Sequence, residues 1–260
     1  MRRTHLCLLL AVLVVAPALA GCGGGSGPSD SRTAPKRLAC RNLDADDLTH
    51  HTDDTTPVPC TKTHTAQTFL VGRFPAKLGK DYDTKAQGAY VFDRCTPAYE
   101  KFLDIDDSVA LRIELSWAWF APSEKGWSKG ARWFRCDVVG GASGATKLRA
   151  LPRTARALFH GDPPDAWMSC RRGKSFKTAT RLPCSQSHDW RAVSAIKLGQ
   201  PGDPYPGDRF SEVRARDYCS DAVGAWMGYA PDYAFAYTWF HRAEWQAGNR
   251  RAVCWARTDR

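Results

Sequence analysis

Beyond residue 20 the sequence lacks any apolar run long enough to span a membrane. It also lacks the short motifs of common hydrolases, nucleotide-binding enzymes and zinc proteases, since no Gly-x-Ser-x-Gly, phosphate-binding loop or His-Glu-x2-His occurs. No two cysteines have the Cys-x2-Cys spacing of structural zinc sites. These absences predict a protein that has no transmembrane helix after its start, is not an enzyme, and holds no metal or cofactor.

One acidic stretch invites comparison with calcium sites. DADDLTHHTDD (44–54) supplies carboxylates, but not the twelve-residue pattern with a central Gly and a final Glu. We therefore predict that it forms a solvated loop.

The chain begins with an export signal. Two arginines precede LCLLLAVLVVAPALA (6–20), an apolar stretch of signal-peptide length. The stretch leads into Leu-Ala-Gly-Cys, which resembles the bacterial lipobox and implies cleavage before Cys22 and acylation of that residue. We predict a lipoprotein signal peptide at 1–21, a membrane anchor on Cys22 and an extracytoplasmic location; the alternative is an ordinary secretory signal with a chance cysteine. Residues 22–37 are almost devoid of apolar side chains, which predicts a flexible tether.

Eight cysteines remain when Cys7 in the signal and Cys22 are set aside. An even number in an exported chain predicts a disulfide framework. Spacing does not determine connectivity, but we favour first-to-second and third-to-fourth pairing within each set of four, because the first two cysteines fit neighbouring strands. The sets are Cys40, Cys60, Cys95, Cys136 and Cys170, Cys184, Cys219, Cys254.

The two sets lie in two copies of one pattern. PCTKTHTA (59–66) and PCSQSHDW (183–190) share Pro-Cys-x3-His, and each of these cysteines is followed by another 35 residues later. WSKGARWFRC (127–136) and WQAGNRRAVC (245–254) share Trp-x2-Gly-x-Arg-x3-Cys. Matches in the same order predict an internal duplication.

Each copy has the same predicted elements. Strands are predicted at 68–74 and 192–198 from their β-branched and aromatic residues. A helix follows; in the second copy Cys219, Ala222, Val223 and Trp226 fall at i, i+3, i+4 and i+7, one helix face. Two more strands come next, and the first of them carries WAWF in one copy and YTWF in the other, which we align at 117–120 and 237–240.

The predicted fold class is α+β, with two tandem disulfide-stapled domains, each an antiparallel sheet with one packed helix. The domains occupy 38–140 and 165–260. The linker at 141–164 starts Gly-rich and ends Pro-rich, with a middle part able to form a short helix.

The repeated His and Arg are the candidate binding residues. His64 and His188 suit ligand binding or pH sensing, but a role in bonding a backbone group and capping a turn is favoured by their repetition beside a disulfide. Arg132 and Arg250 follow a Gly in a turn, where they would pair with an acid, stack on the neighbouring Trp or hold an anion. Pro-Cys-x3-His supplies only two ligands, so no zinc site is predicted.

Charge is distributed unevenly along the chain. Residues 38–140 carry 13 basic and 15 acidic side chains, or −2; residues 165–260 carry 15 and 10, or +5; the linker adds +3. A basic second domain on a membrane anchor suits anionic lipid heads or a polyanionic envelope polymer, and the alternative is a merely solvated basic surface. Nucleic acid is not a predicted partner of an exported protein.

Both copies resemble the septum formation domain of exported actinobacterial proteins. That pattern has a first Cys, then Pro-Cys-x3-His with an acid three residues after the His, a Cys in a helix, and Trp-x2-Gly-x-Arg before a last Cys. Gln67 and Arg191 stand where the family usually has the acid, so a His–acid pair acting in the family would be absent here. The resemblance implies an envelope role linked to division and supplies no catalytic residues. Besides the eight cysteines, the matching residues are His64, Trp127, Gly130, Arg132, His188, Trp245, Gly248 and Arg250.

The sequence thus predicts a non-enzymatic, lipid-anchored envelope protein that acts as an interaction or scaffolding module for an unidentified envelope protein in septum formation or cell division. The alternative hypothesis is a ligand-binding lipoprotein whose basic second domain binds an anionic envelope polymer. A deep pocket lined by both His188 and Arg250 would favour the alternative, and internal hydrogen bonds of both residues would favour the scaffold.

Overall fold

The computed structural model describes residues 27–246 and 248–258, and it contains two antiparallel sheets, each with one long helix packed on it. The predicted α+β class is confirmed. The signal peptide at 1–21 and Cys22 lie outside the described residues. Among the described helices, none is both long enough and apolar enough to cross a membrane.

The first half contains β1 (Cys40–Arg41), β2 (Ala66–Arg73), α1 (Thr84–Leu103), β3 (Ser116–Phe120), α2 (Glu124–Ser128) and β4 (Trp133–Val139). The second half contains β5 (Ser169–Arg172), β6 (Thr180–Pro183), β7 (Trp190–Lys197), α3 (Asp208–Trp226), β8 (Phe235–Trp239), α4 (Arg242–Gln246) and β9 (Arg251–Arg257).

The two sheets repeat one topology. Their strand orders are β1-β2-β4-β3 and β6-β5-β7-β9-β8, so the second sheet differs by one additional edge strand, β6. Both copies carry a bulge at the same place, between Thr68 and Leu70 in β2 and between Ala192 and Ser194 in β7. The structure therefore reproduces the duplication strand by strand.

One detail of the sequence alignment between the copies is wrong. The residue paired with the last cysteine of its copy is Trp119 in the first copy and Tyr237 in the second, so these two residues are structurally equivalent. The sequence alignment instead matched residues that are 120 positions apart. WAWF and YTWF are therefore out of structural register by two residues. Because strand side chains alternate with period two, this slip leaves the predicted inward face unchanged.

The helices follow from local sequence. At the start of α1 the Asp83 side chain accepts a hydrogen bond from the Ala86 amide at 3.0 Å, which satisfies a backbone donor that has no partner within the helix. Cys219 and Val223 are buried on α3, as predicted, but Trp226 is 50% exposed. Trp226 is the last residue of α3, so its ring borders a surface cleft instead of the core.

Four disulfides connect these elements. Cys95 pairs with Cys136 and Cys219 with Cys254, and each bond joins the long helix to the last strand of its half. The other bonds join Cys40 to Cys60 and Cys170 to Cys184. All four match the pairing favoured from the sequence. The first pair of each half does lie on adjacent chain segments, since β5 pairs with β6 and Cys40 forms a bridge with Val58.

Part of the predicted tether is packed against the first half. In the described part of that segment, 27–37, the Ser29 amide donates to Asp54 Oδ1 at 2.7 Å, and the Trp133 indole donates to the Ser31 carbonyl at 2.8 Å. Ser29 is buried. The prediction of a fully flexible 22–37 is corrected for these residues, because polar contacts hold a segment that has little apolar surface to bury.

The predicted linker, 141–164, is also bound to the first half and contains turns but no helix. Its Leu151 amide donates to the His64 carbonyl at 2.8 Å, and its Phe159 amide donates to the Leu103 carbonyl at 3.1 Å. Leu151, Ala155 and Phe159 are buried in the core of the first half. Residues 141–164 therefore form a structural strap and not a free spacer.

The halves share this core. The cluster that contains Phe69 and Val91 of the first half continues through Trp167, Met168 and Leu182 of the second. An isolated bridge pairs Ile113 with Met168 at the junction. The two predicted domains thus contact each other through buried apolar side chains as well as through the strap.

Candidate functional site

The repeated histidines are buried and bonded to nearby backbone. His64 is 1% exposed and His188 is 6% exposed. Nδ1 of His64 lies 2.8 Å from the Lys62 carbonyl oxygen, and Nδ1 of His188 lies 2.7 Å from that of Gln186. A carbonyl oxygen only accepts, so Nδ1 carries the proton in both rings. Each ring closes the turn that follows a disulfide cysteine.

One group among the described residues has the proximity of a metal site. The candidate ligand atoms of Cys170, Cys184 and His188 all lie within 4.8 Å of one another. The two sulfurs are bonded to each other in a disulfide, which leaves one imidazole nitrogen as a ligand. Metals bind thiolates, so the oxidised group does not fit a metal ion.

The repeated arginines stack on the tryptophans of their own motif. The guanidinium carbon of Arg132 lies 3.8 Å from the ring centroid of Trp127, and that of Arg250 lies 5.7 Å from the ring centroid of Trp245. Arg132 also donates to the Trp127 carbonyl at 2.7 Å. Both turns need the intervening Gly, because Gly130 has φ +92° and Gly248 has φ +106°. The repeated Trp-x2-Gly-x-Arg motif therefore builds a turn.

The four candidate residues are not brought together. None of them hydrogen-bonds to or stacks on another in the described structure, and only His188 borders a cleft described below. The residues in place of the family's acid bind the strap and the residue that follows it instead. Gln67 Oε1 accepts a hydrogen bond from the Ala155 amide at 2.9 Å, and Arg191 pairs with Asp165 at 2.6 Å.

Replacing His64 with alanine is expected to lower the free energy of unfolding by about 1–3 kcal/mol, because a buried hydrogen bond and buried ring volume are lost together. Denaturant unfolding of the oxidised protein measures this. His50→Ala is the matched control, since His50 is exposed, and should change stability by less than about 0.5 kcal/mol. A His64→Ala protein of unchanged stability would contradict the structural role.

A network of buried charges was missed by sequence reasoning. It lies on the face of the first sheet opposite α1. Its members are almost completely buried and are Arg41, Asp53, Thr68, Arg135 and Asp137. Arg135 bonds to Asp53 and also donates from Nε to Asp137 Oδ2 at 2.9 Å. The Thr68 hydroxyl links Arg41 to Asp137, because it donates to Asp137 Oδ1 at 2.6 Å and accepts from Arg41 at 2.9 Å. Two cations and two anions balance, so the cluster has no net charge to offer a ligand.

The prediction that 44–54 forms a solvated loop is corrected for Asp53, which lies near the end of that loop and is buried. Burial alone would raise the pKa of Asp53, but hydrogen bonds from Thr55 and Arg135 lower that pKa below its ordinary value. The second half has apolar side chains at the equivalent places, with Val253 for Arg135 and Trp255 for Asp137. The charges are therefore particular to the first half and hold the acidic loop onto its sheet.

An exposed group at the start of α3 contains the ingredients of acid–base chemistry. His241 Nδ1 lies 2.6 Å from Asp208 Oδ1, and the Tyr205 hydroxyl bonds to the same carboxylate. These hydrogen bonds, first from Tyr205 and then from His241, lower the pKa of Asp208. Asp208 is in the first turn of α3, where a carboxylate is stabilised by the helix dipole. We therefore interpret these three side chains as a contact that stabilises the start of α3.

Two clefts open at the junction of the halves. One, of about 750 Å³, is bordered by His188, Trp226 and the Arg191–Asp165 pair. The other has a similar volume and lies between the strap and the β5–β6 hairpin. It is lined by four cations and one acid, Glu114.

The region around both clefts carries the family pattern. Residues 112–254 match the family model for septum formation, which is more than half of the chain. The protein belongs to the septum formation family. In this septum formation protein the match runs from the end of the first half through the strap to Cys254, so it includes His188 and leaves out His64. Comparisons with curated proteins and with solved structures found no significant match.

Proposed function

We propose that this septum formation protein is a non-enzymatic scaffold of the cell envelope, held at the membrane by lipid on Cys22. Family membership supports a septum-related role. The observation that carries the scaffold proposal is the internal engagement of the repeated motifs: His64 and His188 bond to backbone, and Arg132 stacks on Trp127. Side chains used in this way support a role in specifying the architecture.

The anchor would hold the folded body close to the bilayer. Packing of the segment from residue 27 onward leaves residues 22–26 between the lipid and the fold. Five residues span at most about 18 Å when fully extended. A scaffold at this distance meets membrane-proximal proteins and the inner layers of the envelope.

Replacing Cys22 with serine is expected to remove the protein from the membrane fraction and from the division septum. Serine offers no thiol for acylation, and stable anchoring needs the acyl chains. Fractionation, fluorescence imaging and crosslinking of intact cells measure membrane retention, position and partner. Cys7→Ser is the matched control within the signal peptide and should leave all three unchanged. Septal recruitment of the Cys22→Ser protein, or a wild-type protein that crosslinks to nothing, would contradict the proposal.

A second candidate function is binding of an anionic envelope polymer. The charge count favours it, since 165–260 carries +5 and the strap +3 against −2 for 38–140. His188 and Arg250 do not line a common pocket, so the polymer would have to be held elsewhere. Salt-sensitive retention of the protein on purified cell wall tests this function.

A further inference from the structure

The cleft between the strap and the β5–β6 hairpin combines cations from these two chain segments. Lys147 and Arg149 belong to the strap, while Arg172 and Arg181 belong to the hairpin. Glu114 is the one carboxylate that lines the cleft, and it already accepts a hydrogen bond from Arg181 Nε at 2.7 Å. Four positive charges against one negative charge leave a net +3 in this cleft.

The remaining cations have no carboxylate partner. Across residues 27–246 and 248–258, none of the ion pairs involves Lys147, Arg149 or Arg172. The other cleft is less positive, because the three arginines that line it are offset by two acids, Asp165 and Asp232. Attraction for an anion is therefore concentrated in the cleft at the strap.

The guanidinium groups are held in position by contacts that leave positive charge unneutralised. Arg149 donates to the Ala166 carbonyl at 3.0 Å and lies 4.4 Å from the ring centroid of Trp167. Arg172 donates from Nε to the Ser187 carbonyl at 2.7 Å. Ordered guanidinium groups bind oxyanions with less loss of side-chain entropy, and their planar donors match phosphate oxygens.

We propose that this cleft, formed by Lys147, Arg149, Arg172 and Arg181, binds a linear polymer of phosphate-bearing units. The inference rests on the second candidate function and gives it a location. Cations on separate segments suit successive phosphates along a chain better than one phosphate. The cleft, of about 750 Å³ and open to solvent, is large enough for several such units.

Polyphosphate of defined length is the probe, and binding is measured on the full mature lipoprotein in neutral detergent micelles. The cleft variant carries Lys147→Glu and Arg172→Glu, both at exposed positions. The matched control carries Lys174→Glu and Lys177→Glu, which make the same change in net charge on exposed lysines outside the cleft. We expect the cleft variant to raise the Kd at least tenfold and to weaken its salt dependence, and the control to raise the Kd less than threefold.

The other outcomes separate the site from the function. If wild type binds but both variants lose affinity equally, binding follows net charge and the cleft is not the site. If wild type binds neither polyphosphate nor purified wall, both the site and the polymer function are wrong. If micelles containing phosphatidylglycerol displace polyphosphate from wild type at lower phosphate concentration, the ligand is a lipid headgroup and the polymer proposal is overturned.

Discussion

Replacement of Arg135 by methionine is expected to lower the free energy of unfolding by about 3–5 kcal/mol, since it removes the cation shared by two buried carboxylates. Asp53 and Asp137 would then be left in the sheet interior with only Arg41 to balance them. The loss also removes stacking on Phe120, whose ring centroid lies 4.4 Å from the guanidinium carbon. Methionine keeps much of the side-chain volume, so the effect reports charge more than packing.

The rescue variant makes this prediction specific. Arg135→Met combined with Asp53→Asn leaves one cation and one anion, Arg41 and Asp137, and should recover part of the lost stability. Arg73→Met is the control at an exposed arginine of β2 and should cost less than about 0.5 kcal/mol. Denaturant unfolding with intact disulfides measures all three. A cost below about 1 kcal/mol for Arg135→Met, or no recovery in the double variant, would show that water reaches the network and screens it.

The sequence contained a signal for this network that periodicity does not detect. In β4 the side chains alternate, so Arg135 and Asp137 lie on the face opposite Cys136, which bonds to α1. Charges at i and i+2 on a strand normally indicate a solvated face. Here the acidic loop folds over that face, and the third member of the network, Asp53, comes from a stretch whose composition alone indicates exposure.

The elements that were predicted correctly are those with a strong local signal. The β2 and β7 strands follow from their β-branched and aromatic residues, and the buried Cys219 and Val223 face of α3 follows from helical spacing. The disulfide pairing follows from placing the first two cysteines of each set on neighbouring strands. The packed parts of the tether and the strap were missed in part because hydrogen bonds of their backbone groups help to hold them. An example is the Leu151 amide, which donates to the His64 carbonyl and leaves no trace in composition.

The cleft was missed for a different reason. Repetition directed attention to the residues common to both copies, and those residues build disulfides, turns and core. The cations of the cleft come from the strap, which is not repeated, and from the hairpin that contains β6, the strand without a counterpart in the first sheet. The proposed binding site thus lies where the two copies of the fold differ, and not among the residues they share.

The second large effect is expected when the bond between Cys219 and Cys254 is removed by replacing both residues with alanine. This bond joins α3 to β9 and closes a loop with a sequence separation of 35 residues. On the loop-entropy relation such a bond contributes about 4 kcal/mol. The core beneath α3 is the smaller of the two helix-covered cores, so it has less apolar burial to compensate for the loss.

The loss should be local to the second half. Amide hydrogen exchange of α3 is expected to accelerate by two to three powers of ten, in line with about 4 kcal/mol, while α1 keeps most of its protection through Cys95–Cys136 and the strap. Replacing Cys40 and Cys60 with alanine is the matched control, because that bond lies at the far edge of the other sheet. Equal acceleration in α1 and α3 after removal of Cys219–Cys254 would mean that the shared core makes the halves unfold as one unit. Unchanged exchange in α3 would mean that packing alone holds that helix on its sheet.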